Sequence, residues 1–202
     1  ALERIAPHRL NDFLIDWFHL GADIKQSVPT KGIPENGAMI LHHLAERPTF
    51  LMVGTLESRK GHAEVLDTLG QMWDSGHDIN LVIVGKEGWR VNKLLDDLNS
   101  HPENGKRLFW LEQITDEYLE KVYEASQCLI AASYGEGFGL PLVEAAQHGL
   151  PIIARGIPVF REVVKENGLY FGGDTNLDLQ SAMELWLSYY HSGKVLNSTG
   201  IA

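Results

Sequence analysis

Three observations in the sequence predict an α/β protein built on an open, doubly wound parallel sheet, a Rossmann-like arrangement. From Thr49 onward, short apolar runs alternate with stretches whose apolar residues recur at helical spacing, the pattern of strands joined by right-handed helical crossovers with helices on both faces. The apolar run Leu129 to Ala132 passes directly into Ser133-Tyr134-Gly135-Glu136-Gly137-Phe138-Gly139-Leu140-Pro141, and a proline just inside an apparent helix marks a strand-to-helix junction. Glycine-bearing turns also follow the runs that end at Val53 and Val84. Such turns gather at one edge of an α/β sheet, where ligands bind.

Taken in order, residues 1–11 show no period, and Phe13, Leu14, Ile15, Trp17 and Phe18 read as a short strand. The stretch Gly21 to Gly37, spaced by Pro29, Gly32 and Pro34, reads as a loop or linker. Residues 1–48 are therefore expected to be a strand and linker, and residues 49–202 the sheet domain. Thr49 to Val53 is the first core strand, and Val65, Leu66, Leu69, Met72 and Trp73 mark the helix after it. Strands are expected at Ile79 to Val84, Arg107 to Leu111, Gln127 to Ala132, Pro151 to Ala154 and Leu169 to Phe171. Helices are expected around Val91 to Leu98, from Thr115 with Asp116 and Glu117 in its first turn, over Pro141 to His148 with Gly149 as a left-handed cap, over Ile157 to Lys165, and over Leu177 to Tyr190.

Composition narrows the class. At 202 residues, 44% hydrophobic and 22% charged, the chain can build a substantial core. A formal net charge of −10 argues against nucleic acid or anionic lipid held by bulk electrostatics. The single cysteine, Cys128, lies in an apolar run; it excludes a disulfide within the chain, points to a reducing compartment and reads as a buried, inert thiol. No apolar stretch approaches the ~20 residues of a membrane helix, and no signal peptide is visible. The chain begins at Ala1 without methionine, as a fragment would.

The turn from Ser133 to Glu144 has the make-up of an anion site. Its glycines admit a ligand close to the backbone, and the first turn of the following helix offers unpaired N–H groups where the dipole favours negative charge. Glu136 and Glu144 flank that site, and carboxylates beside an anion make sense as acceptors for hydroxyl groups. The alternative is a purely structural turn with Glu144 on the solvated face of its helix, beside Gln147 and His148.

The loop Gly54-Thr55-Leu56-Glu57-Ser58-Arg59-Lys60-Gly61 opens onto the same crevice in a doubly wound sheet. Arg59 and Lys60 suit a diphosphate there, or form a solvated basic pair; since cations at a helix N-terminus are disfavoured by the dipole, a compensating anion is expected. The third turn, Gly85-Lys86-Glu87-Gly88-Trp89, offers Trp89 either to stack on a nucleotide base or to pack over the sheet. The backbone around Ile114, at the end of the neighbouring strand, is placed to read a base edge. None of these loops has the spacing of a dinucleotide fingerprint or a P-loop.

Assembled, these segments resemble the C-terminal, donor-binding half of a retaining glycosyltransferase of the GT-B type, in the large family 4 (group 1), from about Thr49 to Gly173. The most specific part is the glutamate, seven residues, glutamate motif from Glu136 to Glu144, together with Arg59, Lys60 and Gly61. The resemblance implies that Glu144 holds the nucleotide ribose and Glu136 the donor sugar, that Gly137, Phe138, Gly139 and Leu140 bind the phosphates, and that Lys60 and Arg59 supply their positive charge. On this basis Lys60, Arg59 and Glu136 are the expected catalytic residues. The nucleotide-sugar site adds Gly54, Thr55, Lys86, Trp89 and Ile114. Many members carry an arginine where Thr55 stands, so Arg59 is expected to substitute for it.

The pattern of Gly54 to Gly61, Gly85 to Trp89 and Ile157 to Glu162 is most similar to bacterial mannosyltransferases of cell-surface polysaccharide, which implies GDP-mannose as donor and a saccharide or lipid-linked saccharide as acceptor. The resemblance further implies no cofactor and no essential metal, an acceptor domain missing from the N-terminal side, and a cytoplasmic location. Any contact with the inner face of the bacterial membrane would then be made through that missing domain. Two other readings stay open: a nucleotide-sugar epimerase of the same fold, and a non-catalytic nucleotide-sugar-binding module.

Overall fold

A computed structural model describes residues 32–173, 175 and 177–194. The expected strand at Phe13 to Phe18 and most of the expected linker lie outside the described residues.

Six strands form one all-parallel sheet: β1 (Thr49–Val53), β2 (Asn80–Val84), β3 (Leu108–Leu111), β4 (Cys128–Ala131), β5 (Ile152–Arg155) and β6 (Leu169–Phe171), in the order β3-β2-β1-β4-β5-β6. Each strand alternates its side chains between two cores. Phe50, Met52, Leu81, Ile83, Leu108, Cys128, Ile130, Ile153 and Phe171 face one, whereas Leu51, Val82, Val84, Phe109, Leu111, Leu129, Ile152 and Ala154 face the other. This is the two-residue period of a strand with both faces covered, and it explains why the runs read as continuously apolar.

Helices α2 (His62–Asp74), α3 (Asn92–Ser100) and α7 (Leu179–His191) cover the first face. Helices α1 (Gly37–Ala45), α4 (Asp116–Ala125), α5 (Leu140–Gln147) and α6 (Pro158–Val164) cover the second. Local chemistry sets their ends. Thr115 caps α4 by accepting the Tyr118 amide at 3.2 Å, and Asp178 caps α7 by accepting the Ser181 amide at 2.7 Å. Pro141 occupies the first turn of α5, where a missing N–H costs nothing, and Gly149 has the left-handed conformation expected of its cap. Observed boundaries differ from the expected ones by a residue or two.

Helix α1 has no counterpart among the sequence expectations, because Gly37 and the prolines before it suggest only a linker. A buried polar cluster docks its end. Thr49 Oγ1 donates to the Leu44 carbonyl at 2.7 Å, and Asn80 Nδ2 donates to the His43 carbonyl at 2.9 Å and to Thr49 Oγ1 at 3.0 Å. Leu44 is fully buried against α4 and the sheet, worth ~1.5–3 kcal/mol relative to exposure. Cys128 is buried too, and burial pushes its thiol well above the ordinary range, as suits an inert side chain. Among the described residues no helix is long and apolar enough to cross a membrane.

The sheet order puts β1 beside β4, paired Phe50 to Cys128 and Leu51 to Leu129, and this is where the strand order reverses. The loops leaving these strands consequently run side by side. They touch at Gly61, whose φ of +75° suits glycine and at which a Cβ would stand 2.4 Å from the Ala132 carbonyl oxygen. Gly61→Ala should therefore destabilise the protein by at least ~2 kcal/mol, combining a left-handed penalty with overpacking, read as a lowered urea midpoint.

Candidate functional site

The C-terminal ends of β1 and β4 open into a crevice of about 630 Å³, within the range of small-molecule sites. Its walls include Gly54, Thr55, Arg59 and Lys60 from the β1 loop, and Glu136, Gly137, Phe138, Gly139, Leu140 and Glu144 from the β4 turn and the start of α5. Ten of the residues singled out from the sequence are thus brought together, from segments some eighty positions apart. Lys86, Trp89 and Ile114 stand at the ends of the next two strands, outside this lining. Trp89 is 82% exposed with the Arg90 guanidinium 5.4 Å from its ring centre, and Ile114 packs against the core beneath. The backbones nevertheless connect: the Leu56 amide donates to the Lys86 carbonyl at 2.9 Å, tying the first loop to the third.

The anion expected beside Arg59 and Lys60 is Glu136. Its Oε1 accepts from Lys60 Nζ in an ion pair and from Ser133 Oγ at 2.8 Å, while Oε2 accepts from Arg59 Nη1 at 3.1 Å. Arg59 also donates to the Gly135 carbonyl at 3.0 Å and pairs with Glu57 at 2.7 Å. Burial by itself raises the pKa of Glu136, but the bonds from Lys60, Ser133 and Arg59 outweigh it and hold the carboxyl below its usual range. The hydrogen bond to Glu136 likewise raises the pKa of Arg59. The two cations are thus balanced from within the chain.

Glu144 is not on a solvated face, contrary to the helical-wheel alternative. It is half-buried, and its Oε2 accepts a 2.7 Å hydrogen bond from the hydroxyl of Tyr123, a fully buried residue of α4. The wheel places it with polar neighbours because it sees one helix only; α4 packs across that side. Burial raises the Glu144 pKa, the Tyr123 bond lowers it and Asp116 raises it again, leaving it above the usual glutamate range.

Three further residues fix the β4 turn without lining the crevice. Arg155, at the end of β5, donates to the Ala132 carbonyl at 3.0 Å, pairs with Glu64 of α2, and lies 4.1 Å from the ring centre of Tyr134. Tyr134 donates its hydroxyl to Glu64 at 2.7 Å and its amide to the Arg59 carbonyl at 2.8 Å. The sequence patterns assigned no role to Glu64, Arg155 or Tyr134. Strand-end position was the available signal for Arg155. For Tyr123, the signal was a phenol on a core-facing helical position, since a buried hydroxyl needs a partner.

His62, next to Lys60, is buried and held neutral, its pKa lowered to about 4 by burial and by the Lys60 charge. It borders a cavity of about 30 Å³ behind the ion pair. Among the described residues there is no cluster of three or more His, Cys, Asp or Glu side chains able to hold a metal ion.

Residues 40–194 match the family model for glycosyl transferases group 1. The chain is 51% identical over 173 residues to the serotype-specific mannosyltransferase WbdA of Escherichia coli, covering 86% of this chain and 21% of that protein; it thus spans about a fifth of the length of the curated relatives it first matches. It superposes on the C-terminal domain of a group 1 glycosyl transferase, LpcC, from Francisella tularensis with a TM-score of 0.64 at 19% identity, covering 90% of this chain and 94% of that one. The Anabaena protein Alr3699/HepE in complex with UDP-glucose gives a TM-score of 0.67 at 18% identity, covering 90% and 49%. At these identities the structural likeness is one of fold.

Because Glu136 occupies Lys60 and Arg59, an incoming anion competes with it. Glu136→Gln keeps an acceptor but removes the charge, and should tighten inorganic pyrophosphate binding about threefold to tenfold, the range of a ~1 kcal/mol ion pair. Calorimetric titration measures this, and weaker binding in the variant would show that the pair does not compete with anions.

Proposed function

The chain belongs to the group 1 glycosyl transferases and has the fold of one half of a GT-B enzyme, and from that premise we propose that it is the donor-binding half of a retaining mannosyltransferase. It takes GDP-mannose and passes the mannose to a saccharide acceptor in the building of a cell-surface polysaccharide or lipopolysaccharide. The observation that carries this reading is the meeting of Lys60, Arg59, the glycine-rich turn and Glu144 in one crevice at the sheet's switch point. Mannose is suggested by the Escherichia coli serotype-specific mannosyltransferase, cell-surface polysaccharide by an O-antigen chain mannosyltransferase of the same organism that is 30% identical over 132 residues, and a nucleotide sugar by the UDP-glucose in the Anabaena complex.

In this reading the diphosphate lies between the β1 loop and the amides of Gly137 to Leu140. Lys60 and Arg59 neutralise it, Arg59 serving where Thr55 leaves no cation. Glu136, released from the two cations, accepts hydrogen bonds from the sugar hydroxyls, and Glu144 accepts from the ribose. The base extends toward Lys86, Trp89 and Ile114. As the bond between the sugar's anomeric carbon and the diphosphate oxygen breaks, charge grows on that oxygen and the preorganised N–H groups and cations stabilise it. The acceptor oxygen bonds to the same face of the anomeric carbon, and its proton passes to the departing diphosphate. Glu136 and Glu144 do not act as the acid and base pair of a glycosidase. The reaction requires no metal and no cofactor.

Incubating the whole protein with GDP-mannose and acceptor tests the proposal: transfer with release of GDP supports it, an isomerised sugar nucleotide points to an epimerase, and binding without change to a non-catalytic module. Lys60→Ala should lower kcat by ~10² to 10³; near-normal turnover would remove Lys60 from the mechanism. The 202-residue chain by itself is expected to bind GDP weakly and to transfer nothing, since the acceptor side of the cleft is assigned to a second domain. Measurable transfer by it would overturn that assignment.

A further inference from the structure

Tyr123 is a buried residue beside the crevice to which the roles above give no part. It sits on α4 at a core-facing position with no exposed surface. Its ring stacks on the imidazole of His148, with centres 4.9 Å and planes 3° apart. Held by that stack and the surrounding core, the ring presents its hydroxyl to Glu144 Oε2 at 2.7 Å. Tyr123 does not line the crevice, whereas Glu144 does, so the hydrogen bond reaches the carboxylate from the protein side.

An unsupported glutamate at this place would lose rotamer freedom on binding a ligand. A carboxylate already tied by one oxygen has lost part of it on folding, so less opposes binding. Burial, the nearby Glu144 charge and the bond itself push the Tyr123 phenol well above its ordinary pKa, so it remains a donor throughout the physiological range. Its bond also favours the ionised form of Glu144, against burial and the Asp116 charge on the same side. The other charged or titratable groups around the crevice are Glu57, Arg59, Lys60 and Glu136 across it and His148 beneath Tyr123.

We propose that Tyr123 is a positioning residue for the donor nucleotide: it holds Glu144 as an oriented, charged acceptor for the vicinal hydroxyls of ribose and touches no ligand itself. The inference rests on the reading of Glu144 as the ribose ligand.

The test titrates the whole protein with GDP and with 2′,3′-dideoxy-GDP, using Tyr123→Phe, Glu144→Gln and the double variant. Tyr123→Phe keeps the ring and its stack and should bind GDP about threefold to tenfold more weakly than wild type at neutral pH. Its affinity for the dideoxy nucleotide should be unchanged, which a merely structural role would not produce. With the phenol gone, the Glu144 pKa rises further, so as pH falls the variant should lose GDP affinity earlier than wild type. The double variant should bind no more weakly than Glu144→Gln alone. Unchanged GDP binding by Tyr123→Phe, equal loss for both nucleotides, or additive losses in the double variant would overturn the positioning role while leaving the ribose reading standing. Unchanged GDP binding by Glu144→Gln would overturn the ribose reading and the proposal with it.

Discussion

The pairing of β1 with β4 is the contact on which the rest of the site depends. The two strands are separated in the chain by two other strands and three helical crossovers, yet they lie adjacent and parallel. Successive crossovers from this pair leave toward opposite edges of the sheet, and among the described residues a crevice opens above their C-terminal ends. The loops 54–61 and 132–139 meet across that space, and Gly61 lets them approach to the limit of backbone contact. Lys60 can then reach Glu136, and the crevice has two walls. An open sheet with another strand order would present the same loops to different neighbours.

Charge is conserved locally in this arrangement. Two cations and a glutamate whose pKa is lowered share one corner, with Glu57 as a second, outer partner for Arg59. Taking charges out of water is costly unless they are paired, and Glu136 supplies the pairing. His62 is kept neutral beside Lys60 and adds no further positive charge to the corner. The positive charge of this corner is therefore balanced within the chain. Glu144 behaves differently: its neighbours are a phenol and an apolar core rather than cations, which suits contact with neutral hydroxyls.

The fold was almost wholly legible in the sequence because a parallel sheet buried on both faces writes itself as apolar runs, and the crossover helices as 3.6-residue periodicity. Strands at Thr49–Val53 and Leu169–Phe171 fall where the runs end. The helix Gly37–Ala45 escaped because its anchor is tertiary: Thr49 and Asn80 hold its last turn, and neither lies within it. The candidate site was legible in its loops, whose glycines, prolines and charges are local signals. Its support was not. Glu64 and Arg155 look like ordinary surface charges until α2 and β5 bring them together under Tyr134.

The sequence by itself determined the α/β class, the alternation of elements, and the residue types that cluster at strand ends, since each depends on neighbours in the chain. Family membership follows from the same local signatures, extended over residues 40–194. The tertiary structure alone decided how the two carboxylates of the turn at Ser133 to Glu144 are used. Glu136 turns to Lys60 and Arg59 because β1 lies beside β4, and Glu144 is half-buried and bonded to Tyr123 because α4 packs beside its helix. Hydrogen-bond partners and burial are set by segments distant in sequence, and no periodicity within one helix can report what another places against it.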